Sequence, residues 1–352
     1  MALNLPGLPN LTGLQEQYSM DLSIIIVNYK TPGLVMDCLG GLFQNTSGIN
    51  FEVILVDNDS HDGVEMIVQG GFPQVKFVQM GYNAGFARAN NEGIRHASGE
   101  AVLLLNSDTI VEDNAISNCF TNLQRSTYVA CGVQLLNPDR TPQMSGFYSV
   151  KGGLNFLLAL PYAGAIVKFI GNLLKLKKPN VPKAAALTEV DWINGAFLMV
   201  KRSAFEKAGL MNEDFFLYSE EVEWCSRLRK IGKLCIYGDL HINHLLAGSS
   251  MATFDSSDKT YDNIFDKKGQ QLMVSNFLRI RKEWGAGWFL FMLFLFILEI
   301  PFFLILHLLS HLFFLPNRYP FKTFGGYVRN VGKVVELSPR ILSNKAWFYK
   351  ML

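Results

Sequence analysis

Apolar residues in the first third of the chain come in short runs, and each run stops at a polar cluster. Residues 23–27 (Ser-Ile-Ile-Ile-Val) lead into Asn28-Tyr29-Lys30, residues 53–56 into Asp57-Asn58-Asp59-Ser60, and residues 101–105 into Asn106-Ser107-Asp108. Bounded aliphatic runs of this length read as strands buried on both faces. The pattern predicts strands at 22–28, 52–56, 74–79, 100–105 and 129–135. Helices are predicted near 34–44, 64–70, 86–96 and 115–124. This alternation is that of an α/β protein with a Rossmann-like, mostly parallel, doubly wound sheet. Such a sheet binds ligand across the carboxyl ends of its strands, where these polar clusters fall.

The rhythm breaks over residues 137–182. Two apolar stretches, 155–160 and 165–176, are followed by Lys177 and Lys178, with Lys175 at the end of the second. Either the segment is a lid or membrane-surface helix, or it packs on the sheet with its lysines complementing the helix dipole. The α/β pattern resumes with strands at 190–192 and 197–200, an amphipathic helix at 220–231 and a strand at 233–237. Residues 285–315 are almost wholly apolar and long enough to cross a bilayer, which needs about 20 residues. Glu299 and Pro301 interrupt them, and basic residues flank both ends, including Arg281 and Lys282 before and Arg318 and Lys322 after. A lone carboxylate at mid-bilayer costs roughly 2.5–3.5 kcal/mol. A kinked, re-entrant or in-plane pair of helices with both ends on the cytoplasmic face is therefore expected rather than a single span. The tail after residue 316 is basic with interleaved aromatics, which suits an anionic lipid surface or a helix covering the catalytic domain. The expected organisation is a flexible leader at 1–20, a catalytic domain at 21–250, a connecting helix at 251–284, membrane-associated helices at 285–316 and the basic amphipathic tail at 317–352.

Composition adds limits. The chain of 352 residues is 49% hydrophobic and 18% charged, with a net charge of +2, which gives no case for nucleic acid as a partner. Its five cysteines are scattered, with no CxxC pair, which suggests reduced thiols rather than a disulfide or zinc framework. Residues 1–20 carry no basic start and no long apolar core, so they do not read as a signal peptide.

The candidate chemistry sits at the strand ends. Asp57 could accept a hydrogen bond from a pyrimidine base, or simply form a turn. Asp108 could hold a hard divalent cation, which often takes only one or two protein ligands beside phosphates and water. Gly85 would let backbone approach a ligand closely, and the helix after it could aim N–H groups at a phosphate. No GxGxxG sequence occurs, which counts against a nicotinamide enzyme. Glu220 and Glu221 precede Trp224 by four and three residues, so they extend the apolar stripe of their helix and should point into a cleft. Glu223 stands four residues before Arg227 and reads as a surface pair. His241 or His244 is a credible metal ligand. His307 and His311, one turn apart in the apolar segment, read as interfacial.

Taken together the motifs resemble the family 2 glycosyltransferases of GT-A fold, and specifically their bacterial rhamnosyltransferase-like branch. The matching segments are SIIIVNYKT (23–31), VILVDNDSHDG (53–63), NAGFARANNEGI (83–94), LLLNSDT (103–109), DWINGAFLMVKRSAFEKAG (191–209) and FFLYSEEVEWCSRLRKIG (215–232). The resemblance implies that Asn28, Tyr29 and Asp57 hold the nucleotide base, and that Asn83, Arg88 and Asn106 lie along the donor. It implies that Asp108 binds Mg²⁺ or Mn²⁺ with His244 as a further ligand. Asp191, Trp192, Asn194 and Gly195 would shape the sugar and acceptor pocket, and Glu221, beside Glu220, would act as base. Two residues depart from the wider pattern. The acidic pair is Glu-Glu rather than Glu-Asp, and Asn106 replaces the first acid of Asp-x-Asp.

The implied reaction is an inverting transfer of rhamnose or a similar hexose from a nucleoside-diphosphate sugar to a hydroxyl of a lipid-linked saccharide. It would take place at the cytoplasmic face of the membrane and serve cell-surface polysaccharide synthesis. The alternatives are transfer to a polyprenyl phosphate, which is already ionised and needs no base, and a membrane-docked nucleotide-sugar-binding protein without turnover.

Overall fold

The structure, a computed structural model, describes residues 20–175, 180–246, 253–254, 263–313 and 319–352. The leader expected at 1–20 (Met20 apart), the lysines 177 and 178, and Arg318 lie outside the described residues.

The alternation of apolar runs and helical segments holds through the first half of the chain. Strands β1 (Met20–Asn28), β2 (Phe51–Asp57), β3 (Lys76–Gln79) and β4 (Gly99–Asn106) alternate with helices α1 (Pro32–Gln44), α2 (Val64–Gly71) and α3 (Gly85–Arg95). There follow β5 (Thr109–Val111), α4 (Ala115–Gln124), β6 (Ala130–Leu136), β7 (Gly146–Phe147), a 3₁₀ segment (Lys151–Ala159), α5 (Ala163–Leu173), β8 (Asn180–Val181), β9 (Thr188–Val190), β10 (Trp192–Ile193), β11 (Phe197–Lys201), α6 (Arg202–Ala208), α7 (Glu220–Leu228) and β12 (Leu234–His244). Three long helices close the chain: α8 (Lys267–Trp284), α9 (Ala286–Leu312) and α10 (Phe321–Ser343).

The main sheet runs β3-β2-β1-β4-β11-β6-β12-β5, with β9 beside β12. Strands β3, β2, β1 and β4 are parallel, whereas β11 lies antiparallel between β4 and β6. Chain direction across the sheet reverses at β1, with β2 on one side and β4 on the other. This is the switch point at which such sheets open a crevice. Successive residues of each strand face opposite cores. Ile24, Ile26 and Leu103 pack with α1 and α4 residues, while Ile25, Val102 and Leu104 pack with those of α3 and α7.

A third core joins the C-terminal helices to the rest. Phe277, Phe289, Phe296, Phe303, Tyr327 and Val331 cluster with Phe156 of the 3₁₀ segment and with Phe215. One expectation changes here. The apolar segment is one helix of 27 residues that runs through Pro301, not a pair. The basic tail turns part of its aromatics inward, as a helix covering the catalytic domain would, while Phe321 and Trp347 stay exposed. Tyr327 and Tyr349 are buried, and Phe348 packs edge-on against Phe216. The backbone at Tyr349 bridges to Phe215, and its N–H donates to the Asp214 carbonyl at 2.9 Å. All five cysteines are free and buried, in line with reduced thiols.

Candidate active site

The polar ends of β1, β2 and β4 open onto a cavity of about 320 Å³, closed on its other sides by α7, the β10–β11 turn and α8. That volume lies within the range of small-ligand sites. Tyr29, Asn83, Asn106 and Asp108 line it, as do Trp192, Asn194, Gly195, Glu220, Glu221 and His244. Residues more than a hundred positions apart thus meet in one crevice.

Strand pairing explains how His244 reaches Asp108. Strand β12 runs on past the expected end at residue 237, through an irregularity between Tyr237 and His241, and pairs antiparallel with β5. His244 lies opposite Thr109, one residue beyond Asp108, and the Leu245 N–H donates to the Asp108 carbonyl at 2.9 Å. The His244 Nε2 is 3.3 Å from Asp108 Oδ1, and both side chains are buried. Gln143 settles the ring. Its amide N–H groups donate to the carbonyls of His244 (2.6 Å) and Leu136 (3.2 Å), so its oxygen faces Nδ1 at 2.9 Å and accepts a hydrogen bond from the ring N–H there. In a neutral imidazole, Nε2 then presents a lone pair beside the carboxylate oxygen. Neighbouring ligands on an octahedral cation with bonds of about 2.1 Å lie about 3 Å apart, so this nitrogen and oxygen fit Mg²⁺ or Mn²⁺. His241 goes elsewhere. It clusters with Glu112 and Asp113 and is not among the cavity-lining residues.

The acidic helix is aimed by a tight entry. Tyr218 and Ser219, immediately before α7, both have left-handed backbones, with φ of 71° and 69°. Such strain in non-glycine residues costs of order 1–3 kcal/mol each and gathers at functional sites. Glu220 is buried, Glu221 is partly open to the cavity, and the Oε2 atom of each has no hydrogen-bond partner among the described residues. Burial pushes both carboxyls above the usual carboxylate range. Glu220 goes well above it, because the charge of Glu221 adds to the loss of solvent. For Glu221 the loss of solvent is opposed by nearby backbone N–H groups and by the positive charge of Arg279. The two carboxyls thus sit in unlike surroundings, with Glu220 the more deeply buried and Glu221 beside the positive charge of Arg279.

Gly85 is required where α3 begins. Its φ is +73°, and a Cβ there would come within 2.0 Å of the Phe216 carbonyl oxygen, which accepts from the Phe86 N–H at 2.9 Å. Gly85→Ala should lower stability by about 3 kcal/mol, combining left-handed strain with overpacking. Chemical denaturation of the purified protein measures this, and an unchanged midpoint contradicts it.

Several residues singled out in the sequence lie behind or outside the cavity wall. Asn28 and Asp57 form a buried pair, with Asn28 Nδ2 donating to Asp57 Oδ1 at 2.8 Å, while Asp57 Oδ2 accepts from the Ser60 N–H at 3.1 Å. They brace the loop that carries Asn58, and Asn58 itself lines the cavity. Arg88 turns away from the cavity. Its guanidinium stacks on Phe348, 3.8 Å from the ring centroid, and donates to the Glu213 carbonyl at 2.9 Å. Asp191 pairs with Arg229 at 3.0 Å and accepts from the Ser149 N–H at 2.7 Å, outside the cavity lined by its neighbour Trp192. Glu223 does pair with Arg227 at 2.8 Å, but it is buried rather than on the surface.

The connecting helix expected within 251–284 is α8, and its part in the cavity is what the sequence left unassigned. Lys268, Leu272, Asn276 and Arg279 recur at helical spacing and form its cavity-facing stripe. Polar residues at the core-facing positions of an otherwise amphipathic helix were the available signal. Arg279 is 3% exposed, and its Nε has no hydrogen-bond acceptor among the described residues. Glu283, one turn on, has its carboxyl pushed up to about 7 by burial, partly offset by Arg279. Removing the Arg279 charge should raise the Glu221 carboxyl further. In Arg279→Gln the acidic limb of the kcat–pH profile is expected to move to higher pH, with activity recovering on the alkaline side. A uniform loss at all pH values would deny Arg279 that influence.

Residues 23–170 match the family described as Glycosyl transferase family 2. The chain is 30% identical over 261 residues to the Low-salt glycan biosynthesis hexosyltransferase Agl10 of Haloferax volcanii, covering 72% of this chain and 76% of that one. It is 26% identical over 231 residues to an N-acetylglucosaminyl-diphospho-decaprenol L-rhamnosyltransferase of Mycobacterium tuberculosis, covering 61% and 73%. Among solved structures, the mannosyltransferase PcManGT of Pyrobaculum calidifontis, in complex with GDP-Man and Mn²⁺, shares the fold. Its TM-score is 0.51 at 15% identity, over 92% of this chain and 88% of that one.

Proposed function

This chain belongs to glycosyl transferase family 2, and from that premise we propose an inverting, metal-dependent transfer of rhamnose or a similar hexose. The sugar passes from a nucleoside-diphosphate donor to a hydroxyl of a lipid-linked saccharide, at the cytoplasmic face of the membrane, for a cell-surface polysaccharide. One observation carries the reading: Asp108, His244 and Glu221 line a single cavity large enough for the reacting parts of both substrates.

Glu221 takes the proton of the acceptor hydroxyl as that oxygen bonds to the anomeric carbon and the bond from that carbon to the nucleoside diphosphate breaks. The proton ends on Glu221, and the nucleoside diphosphate leaves with the electron pair of the broken bond. Glu220, in its protonated form, would donate a hydrogen bond to the acceptor. Trp192 lines the same cavity, and its indole N–H faces Glu221, where it helps to offset the loss of solvent. Asp108 and His244 would hold Mg²⁺ or Mn²⁺, which supplies charge neutralisation for the departing diphosphate. Asn83, Asn106 and Tyr29 border the donor side. The relatives named above include a hexosyltransferase of glycan synthesis and a rhamnosyltransferase named for a diphospho-decaprenol acceptor, and both support the substrate classes.

The test is a screen of nucleotide sugars by released nucleoside diphosphate, with and without chelator, in the presence of extracted lipid-linked saccharides. Turnover of one donor that stops on chelation and resumes with Mg²⁺ or Mn²⁺ is expected. Turnover indifferent to chelator removes the metal from the reading. Transfer to bare polyprenyl phosphate alone replaces the acceptor.

A further inference from the structure

We propose that α9 lies along the bilayer surface without crossing it and, with α5, forms an apolar platform seated on an anionic membrane. This deepens the membrane-facing part of the function proposed above and rests on it. Helix α9 has two unlike faces. Phe289, Met292, Phe296 and Phe303 are buried and belong to the core shared with α8 and α10. The opposite face, including Leu290, Phe291, Phe294, Ile297, Leu298 and Leu308, is bare, and no exposed residue between 290 and 309 is polar. Twenty helical residues extend about 30 Å. A soluble partner would find no polar rim along that stripe, whereas hydrocarbon requires none.

The two polar side chains inside this stretch face the protein. Glu299 is 2% exposed and His307 3%. The Glu299 Oε1 accepts from the N–H groups of Tyr162 (2.7 Å) and Ala163 (3.3 Å), and so caps the first turn of α5. Tyr162 adds an edge-on ring contact to Phe303 at 5.1 Å. The carboxylate that argued against a span is thus a bolt between two apolar helices. Beyond this joint α5 shows Ile166, Val167, Phe169, Ile170, Leu173 and Leu174 to the outside.

Crossing is disfavoured by what is packed on the inner face. Helices α8 and α10 lie against α9 and carry Arg281, Lys282, Arg329 and Lys333. A transmembrane α9 would draw those charges toward hydrocarbon. Lying in the plane, α9 buries only its bare stripe at the headgroup–acyl boundary. The charges suit an anionic surface. Residues 151–175 contain Lys151, Lys168 and Lys175 and no acid, and the described residues 319–352 hold six basic residues against Glu336 alone, a net +5. The platform also abuts the cavity, because the 3₁₀ segment stacks Phe156 on Phe296 at 4.9 Å and lines the cavity with Asn155.

Two experiments on the full-length protein test this. In flotation with phosphatidylglycerol-containing vesicles, the exposed-face double variant F294E/I297E should bind at least tenfold more weakly than the parent, with unchanged circular dichroism and melting. Equal binding overturns the platform. So does a shift from dimer to monomer in F294E/I297E without change in vesicle binding, which would assign the face to a second copy. Single cysteines at the exposed positions Gly287→Cys and Leu312→Cys can be labelled with a membrane-impermeant maleimide, since the native thiols are buried. Both should react from the same side of reconstituted vesicles. Labelling from opposite sides means α9 spans. Vesicle binding without transfer to any lipid-linked saccharide would sink the proposed reaction and leave the platform standing. Transfer with opposite-side labelling would do the reverse.

Discussion

Replacing Glu221 by Gln is expected to lower kcat by about 10³-fold while leaving affinity for the nucleotide within about twofold. The magnitude is that of a positioned general base, which contributes about 10²–10⁴-fold. Glutamine keeps the size of the side chain and the cavity wall against Gly195, where a Cβ would lie 3.5 Å from the Glu221 Cγ, so the substrates still bind. What it loses is the ability to accept a proton. Because burial raises the Glu221 carboxyl, the parent enzyme should lose activity on the acid side at a higher pH than an ordinary carboxylate would allow. The acid limb should be absent from the residual activity of the variant. Steady-state kinetics with calorimetry of nucleotide binding decides the matter, and full activity in Glu221→Gln ends the base assignment. Glu220→Gln serves as the contrast. Glu220 is the more deeply buried of the two and its carboxyl is pushed well above the usual range, so an uncharged amide there should cost far less.

Asp108→Asn is expected to reduce turnover by about 10³-fold, in line with the several kcal/mol a metal contributes to stabilising developing charge. The effect should fall on nucleotide binding as well as on kcat, unlike that of Glu221→Gln, because the cation would bridge protein and diphosphate. His244→Ala should act in the same direction with a smaller loss, since one carboxylate would remain and water can fill the vacated position. Gln143→Leu gives an independent check, as it frees the ring proton to move to Nε2, where it blocks the lone pair. Titration of Mn²⁺ against activity reads all three variants. Apparent metal affinities equal to that of the parent would remove Asp108 and His244 from the cation site.

The strand runs were legible because period and length fix a buried strand without help from distant residues, and α4 appears with the bounds its periodicity predicts. The acidic helix was legible for a similar reason. Glu220 and Glu221 share the stripe of Trp224, which is fully buried, so they had to face inward. Contacts made by the far end of the chain were not legible. Arg88 sits in a motif that suggested the donor, yet Phe348, some 260 residues later, takes its guanidinium. The length of β12 was hidden because Gly238-Asp239 breaks the apolar pattern and pairing with β5 carries the strand on. The polar stripe of α8 was a signal without a location, and its role appears only once Phe277 and Leu278 are seen to commit the opposite side to the third core.

The final residues return to the beginning of the fold. Lys350 donates from its ammonium to the carbonyl of Asn83 at 3.1 Å and lies over the Phe216 ring at 5.0 Å, touching two residues of the cavity wall. Asn83 precedes Lys350 by 267 residues, so during synthesis this part of the cavity wall is completed only after the three long helices have been made.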